Sequence, residues 1–426
     1  MRTLICHSGV LLLCACAAQR SADTHEVPEE VTFSLSDLQI KNGGESVAVS
    51  GLTTEIPGVT VTQESSHPAG QPVSRIVFTE AWEGRAYLKV NSPVNLNLIP
   101  QPEAAALTFD LRVDDVSKAG LQAGIDCGEN CHYVVDLWPD AVKWKGAGWQ
   151  HVSIPVKCFS GKFADFTKVD EPFRLFFYGS GDIAVSGVKI TANEPGNILC
   201  PDQDTQSITP APLRAFWADD WWMKRHHQKL AEKQIIRPEV VLIGDSITHG
   251  WEDKGATVWK AYFPDVTTLN LGFGGDRTEN VLWRIEQGEL DGLSPAITVV
   301  MIGTNNTGHR MDPPEYIARG VSNIIDRIKQ KMPDSAVLLT GIFPRGENAM
   351  SPERINNQKT NGLLAHLAKE KGVHYTNIND VFLSEDDILS KDIMPDLLHP
   401  NEAGYRLWAQ ALVPWFSALK KENLDK

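Results

Sequence analysis

A chain of 426 residues exceeds one ordinary hydrophobic core, so two or more domains are expected. Its 42% hydrophobic and 22% charged content excludes a disordered or collagen-like chain. A formal charge of -14, with no clustered Lys/Arg stripe against it, argues against nucleic acid or an anionic membrane surface as a partner.

The first segment, residues 1–20, has the layout of an export signal. Arg2 precedes an apolar run that ends in Leu11-Leu12-Leu13, and the small residues Cys14-Ala15-Cys16-Ala17-Ala18 follow. The run is too short to span a bilayer as a helix. Leu13-Cys14-Ala15-Cys16 also resembles a lipobox, which would make Cys16 a lipidated first residue and a membrane tether. Ordinary cleavage near Ala18 is the alternative. Export leads to a periplasmic, outer-membrane or secreted location. Of the seven cysteines, Cys127, Cys131, Cys158 and Cys200 lie beyond this segment. An even set in an exported chain suggests disulfides, with three connectivities open. The Cys127–Cys131 spacing would also suit a metal, but no second close pair accompanies it.

Residues 30–192 are expected to form a β-sandwich. Short alternating runs such as Ala105-Leu107-Phe109-Leu111 and His151–Val156 recur between Gly, Pro, Asn and Asp turn signals. Residues 193–235 form a polar, Pro-rich linker and then a helix from about Phe216 to Glu232. From residue 236 to 422 the pattern changes. Apolar runs at 240–243, 266–271, 297–302, 336–342 and 373–378 alternate with amphipathic stretches near 277–287, 313–331 and 352–370, and another after Pro400. Such alternation predicts a parallel sheet covered on both faces, with its site at the carboxyl ends of the strands.

Four blocks follow those strand ends. Gly244-Asp245-Ser246 places a serine hydroxyl at a strand-to-helix turn; a capping serine would explain it equally well. It is not a GxSxG elbow, because Thr248 stands two residues beyond the serine. Gly272-Phe273-Gly274-Gly275-Asp276 is a glycine-rich turn able to aim a backbone N–H at a ligand oxygen. It departs from GxGxxG, and Asp276 would repel a pyrophosphate. Gly303-Thr304-Asn305-Asn306 offers a side-chain amide to the same crevice. Finally, Asp396-Leu397-Leu398-His399 sets a carboxylate three residues from an imidazole, a spacing that meets on a helical turn. A serine needs such a base, since its own hydroxyl is a poor nucleophile near neutral pH.

Together the four blocks resemble the SGNH (GDSL) hydrolase family. Val281-Leu282-Trp283-Arg284, Gly288-Glu289-Leu290 and Pro344-Arg345-Gly346 are similar to its subgroup named for the catalytic subunits of platelet-activating-factor acetylhydrolase. The resemblance covers about residues 217–420. It implies a flavodoxin-like α/β/α fold with strand order 2-1-3-4-5, and ester hydrolysis without metal or cofactor. It also implies that Ser246, His399 and Asp396 are the catalytic residues. The oxyanion hole would comprise the Ser246 N–H, the Gly275 N–H and the Asn305 side chain.

Gly124–Cys131, Gly148-Trp149-Gln150, Ile154–Phe159 and Val169–Phe173 resemble the galactose-binding-like ExoP domain appended to some family 3 glycoside hydrolases acting on β-glucans. This implies a jelly roll at the N-terminus. The pairing of the two modules leads to an expected acetyl esterase of polysaccharide or oligosaccharide. A lipid or lysophospholipid esterase is the second expectation, and a silent carbohydrate-binding lipoprotein the third. Trp82, Trp138, Trp144 and Trp149 are expected in the core rather than on sugar; Trp251, Trp259 and the Trp221-Trp222 pair are candidates to border the site, and the sequence gives them no role beyond packing.

Overall fold

The computed structural model describes residues 30–99, 104–126, 134–159, 166–200 and 202–424. The expected export segment with Cys16, and the Cys127–Cys131 pair, lie outside the described residues. Among the described residues no helix is long and apolar enough to cross a membrane.

The N-terminal half is antiparallel throughout. Its strands are β1 (Glu30–Thr32), β2 (Leu38–Asn42), β3 (Glu45–Ala48), β4 (Thr53–Ile56), β5 (Val59–Glu64), β6 (Val73–Leu88), β7 (Ala106–Asp126), β8 (Val134–Asp136), β9 (Trp149–Pro155) and β10 (Glu171–Thr191). Helix α1 (Trp138–Trp144) follows β8. The long strands β6, β10 and β7 lie side by side. The first part of β6 pairs with β5 and its last part with β2, while β7 pairs first with β9 and then with β8. Each long strand therefore serves two layers, and the register of β10 shifts around Gly179 and Gly181 as it passes between them. Gly179 has φ +77°, and a Cβ there would lie 2.1 Å from the Lys118 carbonyl oxygen, so the bend requires glycine. Phe109, Leu111, Phe173, Phe177 and Ile183 fill the core between the layers.

The polar segment after β10 is pinned along its length rather than loose. Ile198 is buried in the β-domain core. Asn197 bonds the β9 backbone at Ser153 N (2.8 Å) and His151 O (2.7 Å). Cys200 is disulfide-bonded to Cys158, with Cα atoms 5.3 Å apart. Beyond the short helix α2 (Gln203–Gln206), the chain docks on the second half. Ser207 Oγ donates to Asp312 (3.0 Å), and Asn280 Nδ2 donates to the Ala211 carbonyl (3.0 Å). Pro-rich composition thus marks an ordered strap, because its polar groups find partners on both domains.

The helix expected from Phe216 starts later, as α3 (Trp222–Ile235). Residues 216–221 turn instead, because consecutive aromatic rings serve different domains. A Cβ on Gly120 would fall 2.3 Å from the Phe216 ring, and one on Gly275 would fall 2.0 Å from the Trp217 ring. Tertiary contact overrides helix propensity here.

The C-terminal half contains five parallel strands: β11 (Val240–Gly244), β12 (Thr268–Gly272), β13 (Ile297–Met301), β14 (Ala336–Thr340) and β15 (His374–Thr376). Their order, β12-β11-β13-β14-β15, is the expected 2-1-3-4-5 arrangement. Its helices are α4 (Ser246–His249), α5 (Ala256–Tyr262), α6 (Thr278–Glu286), α7 (Thr304–Arg310), α8 (Pro314–Lys331), α9 (Pro352–Lys371) and α10 (Glu402–Leu424). Alternate strand residues serve opposite faces, as the pleat requires. Val241, Ile243 and Val300 pack with α6, α8 and α9, while Val240, Leu242 and Val299 pack with α5 and α10. The result is an α/β/α sandwich with short turns gathered at the carboxyl strand ends.

Candidate active site

Ser246 opens α4 directly after β11. Asp245 caps that helix, its Oδ1 accepting from Ile247 N at 3.0 Å. Gly244 is required because a Cβ would come within 2.1 Å of Thr248 Oγ1. First-turn helix amides have no intrahelical acceptor, and the Ser246 N–H is one of them. Asp245 is fully buried, and desolvation raises its carboxyl to about 7, against the Ile247 N–H that favours the charged form.

Two sequence-distant residues meet this serine. Ser246 Oγ lies 2.8 Å from His399 Nε2, and His399 Nδ1 lies 2.6 Å from Asp396 Oδ2. The expected helical turn is absent: Asp396–His399 is a bent loop before α10, with Leu397 at φ +60°. Local capping replaces helix geometry. Asp396 Oδ1 accepts from the N–H groups of Leu398 (3.1 Å) and His399 (2.7 Å), leaving Oδ2 for the ring. Partial burial would raise Asp396, but the His399 backbone and ring bonds and the Leu398 N–H outweigh it and hold the carboxyl below its usual range. An ionised carboxylate can only accept, so Nδ1 carries the proton and Nε2 is left to accept from the Ser246 hydroxyl. The arrangement can activate a hydroxyl and later return its proton.

The residues expected to hold an oxyanion follow β12 and β13. Gly275 has φ +75°, and Gly303, which precedes α7, has φ +131° with no room for a Cβ against Ile342 and Ile317. Asn305, buried in the first turn of α7, donates through Nδ2 to the Asp276 carbonyl at 3.1 Å, which orients its amide beside the Gly275 turn. Asp276 itself does not face the crevice. Its carboxylate accepts from Trp222 Nε1 (2.6 Å) and Arg284 Nε (2.9 Å), and Arg284 also pairs with Glu289, which meets His226 Nδ1 (2.8 Å). Burial raises Asp276 to about 6, opposed mainly by Arg284. The charge that would repel a pyrophosphate instead anchors the turn.

Of the predicted site residues, Ser246, His399 and Asp396 are joined by hydrogen bonds, and Gly275 and Asn305 stand in the turns that follow the two strands flanking β11. Others in the site carried no clear sequence signal. Trp217 covers Gly275 and meets His309 edge-on (6.4 Å), and Trp221 lies against Gly274 and the His249 ring (6.1 Å). Trp251 is buried and packs with Trp259, Tyr405 and Trp408, in keeping with a packing role. Burial drives His309 down to about 3, with Arg277, Arg345 and Arg310 adding repulsion, and burial with Arg225 drives His249 to about 4. Both stay neutral near pH 7. Arg345 donates through Nη1 to the Thr304 carbonyl (2.9 Å), bracing the same helix start as Asn305.

Comparison with known proteins identifies a family for each half of the chain. The GDSL-like lipase/acylhydrolase family matches residues 242–407, and a galactose-binding domain-like family matches residues 37–190. Platelet-activating factor acetylhydrolase IB subunit alpha1 of Homo sapiens is 34% identical over 211 residues, covering 49% of this chain and 89% of that protein. Subunit alpha2 of Rattus norvegicus is 34% identical over 188 residues, covering 44% of this chain and 80% of that protein. A GDSL-like lipase from Bacteroides thetaiotaomicron superposes with TM-score 0.38 at 24% identity, covering 47% of this chain and 97% of that one. An acetylxylan esterase from Geobacillus stearothermophilus superposes with TM-score 0.35 at 18% identity, covering 42% and 93%. Behind an N-terminal galactose-binding-like domain, the chain belongs to the GDSL-like lipase/acylhydrolase family.

Proposed function

We propose that the protein is an exported serine esterase that removes short acyl groups, acetyl above all, from polysaccharide or oligosaccharide. The observation that carries the chemistry is the continuous hydrogen-bond chain from Ser246 Oγ through the His399 ring to Asp396, set beside Gly275 and Asn305. In this reading His399 Nε2 takes the serine proton as Oγ attacks the ester carbonyl. The Ser246 and Gly275 N–H groups and the Asn305 amide hold the oxyanion. The proton then passes to the departing alcohol, and water enters by the same route to free the acid. Asp396 keeps the imidazole in the required tautomer and offsets its transient positive charge.

Acetyl preference is supported by the relatives, which are named acetylhydrolases. Export rests on residues 1–20, with Cys16 as the point of a lipid tether. Carbohydrate as the alcohol half rests on the galactose-binding-like neighbour. The same relatives favour a second reading, a lipid esterase of the platelet-activating-factor type. Turnover of acetyl, butyryl and longer p-nitrophenyl esters, measured beside acetate release from acetylated xylan and glucomannan, separates the two. The favoured reading expects the acetyl ester to be fastest and acetate to leave a polysaccharide. Long-chain preference with no acetate released from either polymer would reject it.

A further inference from the structure

A cavity of about 850 Å³ lies between the two domains and is lined by Trp217, whose ring covers Gly275. It sits within the range of roughly 300–1,000 Å³ usual for organic ligands. The β-domain supplies Gln122, Asp136, Trp138 and Tyr178 to its wall, the strap supplies Arg214, and the turn after it supplies Trp217. The catalytic domain closes it with Arg277 and with His309, one helical turn beyond Asn305. Trp217 and α7 thus border both the cavity and the Gly275 turn.

The junction that forms it is built rather than incidental. Phe216 stacks on Tyr178 (6.2 Å between ring centres) and occupies the space that side chains on Gly120 and Gly179 would fill. Trp217, its neighbour, does the same at Gly275. The wall combines aromatic rings and hydrogen-bonding side chains with aliphatic groups from Ala81, Leu121, Val134 and Ala215. An acyl tail there would strip water from Gln122, Asp136 and Arg214 and return no hydrogen bonds, which is costly for each group. A polyhydroxylated chain satisfies them and lays its apolar ring faces on the aromatics. Arg214 adds a guanidinium with no ion-pair partner among the described residues. Asp136 lies within the same electrostatic reach of Arg277, so groups from both domains act on one occupant.

We propose that this interdomain cavity binds the alcohol half of the substrate, an oligosaccharide of more than one ring, and that the β-domain thereby selects which acetyl ester reaches Ser246. The inference rests on the proposed esterase for what happens at Ser246, but not for what the cavity binds.

Both parts are testable on the full-length chain. Calorimetry of Ser246→Ala with xylotetraose, cellotetraose and mannotetraose reads the cavity alone. One of these should bind, and adding Gln122→Ala or Trp138→Ala should weaken it about tenfold. In the active protein the same two changes should raise KM for the matching acetylated oligosaccharide about tenfold at unchanged kcat, with p-nitrophenyl acetate turnover within about twofold of native. Gln122→Ala removes only a partly exposed amide, so it guards against loss of folding at Trp138. Three results would overturn the proposal: no tetrasaccharide binding, equal losses on both substrates, or an effect confined to long-chain acyl esters. Failure to hydrolyse p-nitrophenyl acetate would instead strike the esterase reading and leave the binding result to judge the cavity.

Discussion

His399 and Asp396 stand on an open loop with side chains 33% and 55% exposed, whereas Asp276 and Arg284, beneath the Gly275 turn, are 0% and 1% exposed. Asp396 is held by hydrogen bonds that span at most three residues, and His399 reaches beyond the loop only to Ser246. The second pair is held by a buried chain of charges from Trp222 through Asp276 and Arg284 to Glu289 and His226. Chemistry and stability are therefore separable in this site. The Asp396–His399 loop is adjustable without disturbing the core, while the Gly275 turn is part of the core.

Substitutions on the two sides should break in different ways. Asp396→Asn keeps an acceptor for the loop N–H groups but offers an amide to His399 Nδ1, favouring the wrong tautomer. Its kcat should fall on the order of 10³-fold or more with the melting temperature little changed. A large drop in melting temperature would erase the contrast. Arg284→Met should do the reverse. It leaves Asp276 and Glu289 buried without their shared cation, which costs about 3–5 kcal/mol of stability in denaturant unfolding. Unchanged stability would mean that the buried charges do not anchor the turn.

The smallest expected effect concerns pH. Asp245 rises from 3.8 to about 7 on folding, because burial disfavours its charge. The folded state therefore holds a proton that the unfolded chain has released, and stability falls as pH rises through that interval. Asp276, raised to about 6, contributes in the same direction. Asp245→Asn should flatten the fall in melting temperature between pH 4 and 7 without removing it. An identical slope in the variant would show that Asp245 keeps its charge when buried.

Most of the catalytic half was legible because its signals are local. Continuous apolar runs and strand-end turns mark a parallel sheet, and the observed strands at 240–244, 268–272 and 297–301 lie within a few residues of the expected runs. The turns that hold Ser246, Gly275 and Asn305 were legible because each follows a strand, and the choice of residue within each came from the family resemblance. The spacing of Asp396 and His399 was legible too, but its cause was not. A helical turn was expected, and a capped loop with Leu397 at positive φ produces the pairing. What escaped depends on partners far apart in sequence. Phe216 and Trp217 extend an apparent helical pattern until Gly120 and Gly275 are seen beneath them. Asp276 likewise looked like a repulsive charge until Arg284 and Trp222 were found to bury it. The strap at 193–215 has linker composition, yet Asn197, Ser207 and Ala211 bind it to both domains.

The most direct test of the central claim is p-nitrophenyl acetate hydrolysis by purified Ser246→Ala beside the native protein under identical conditions. Turnover is predicted to fall to the buffer background, a loss of roughly 10⁴-fold or more, with folding intact. Near-native turnover in that variant would contradict the assignment of Ser246 as the nucleophile.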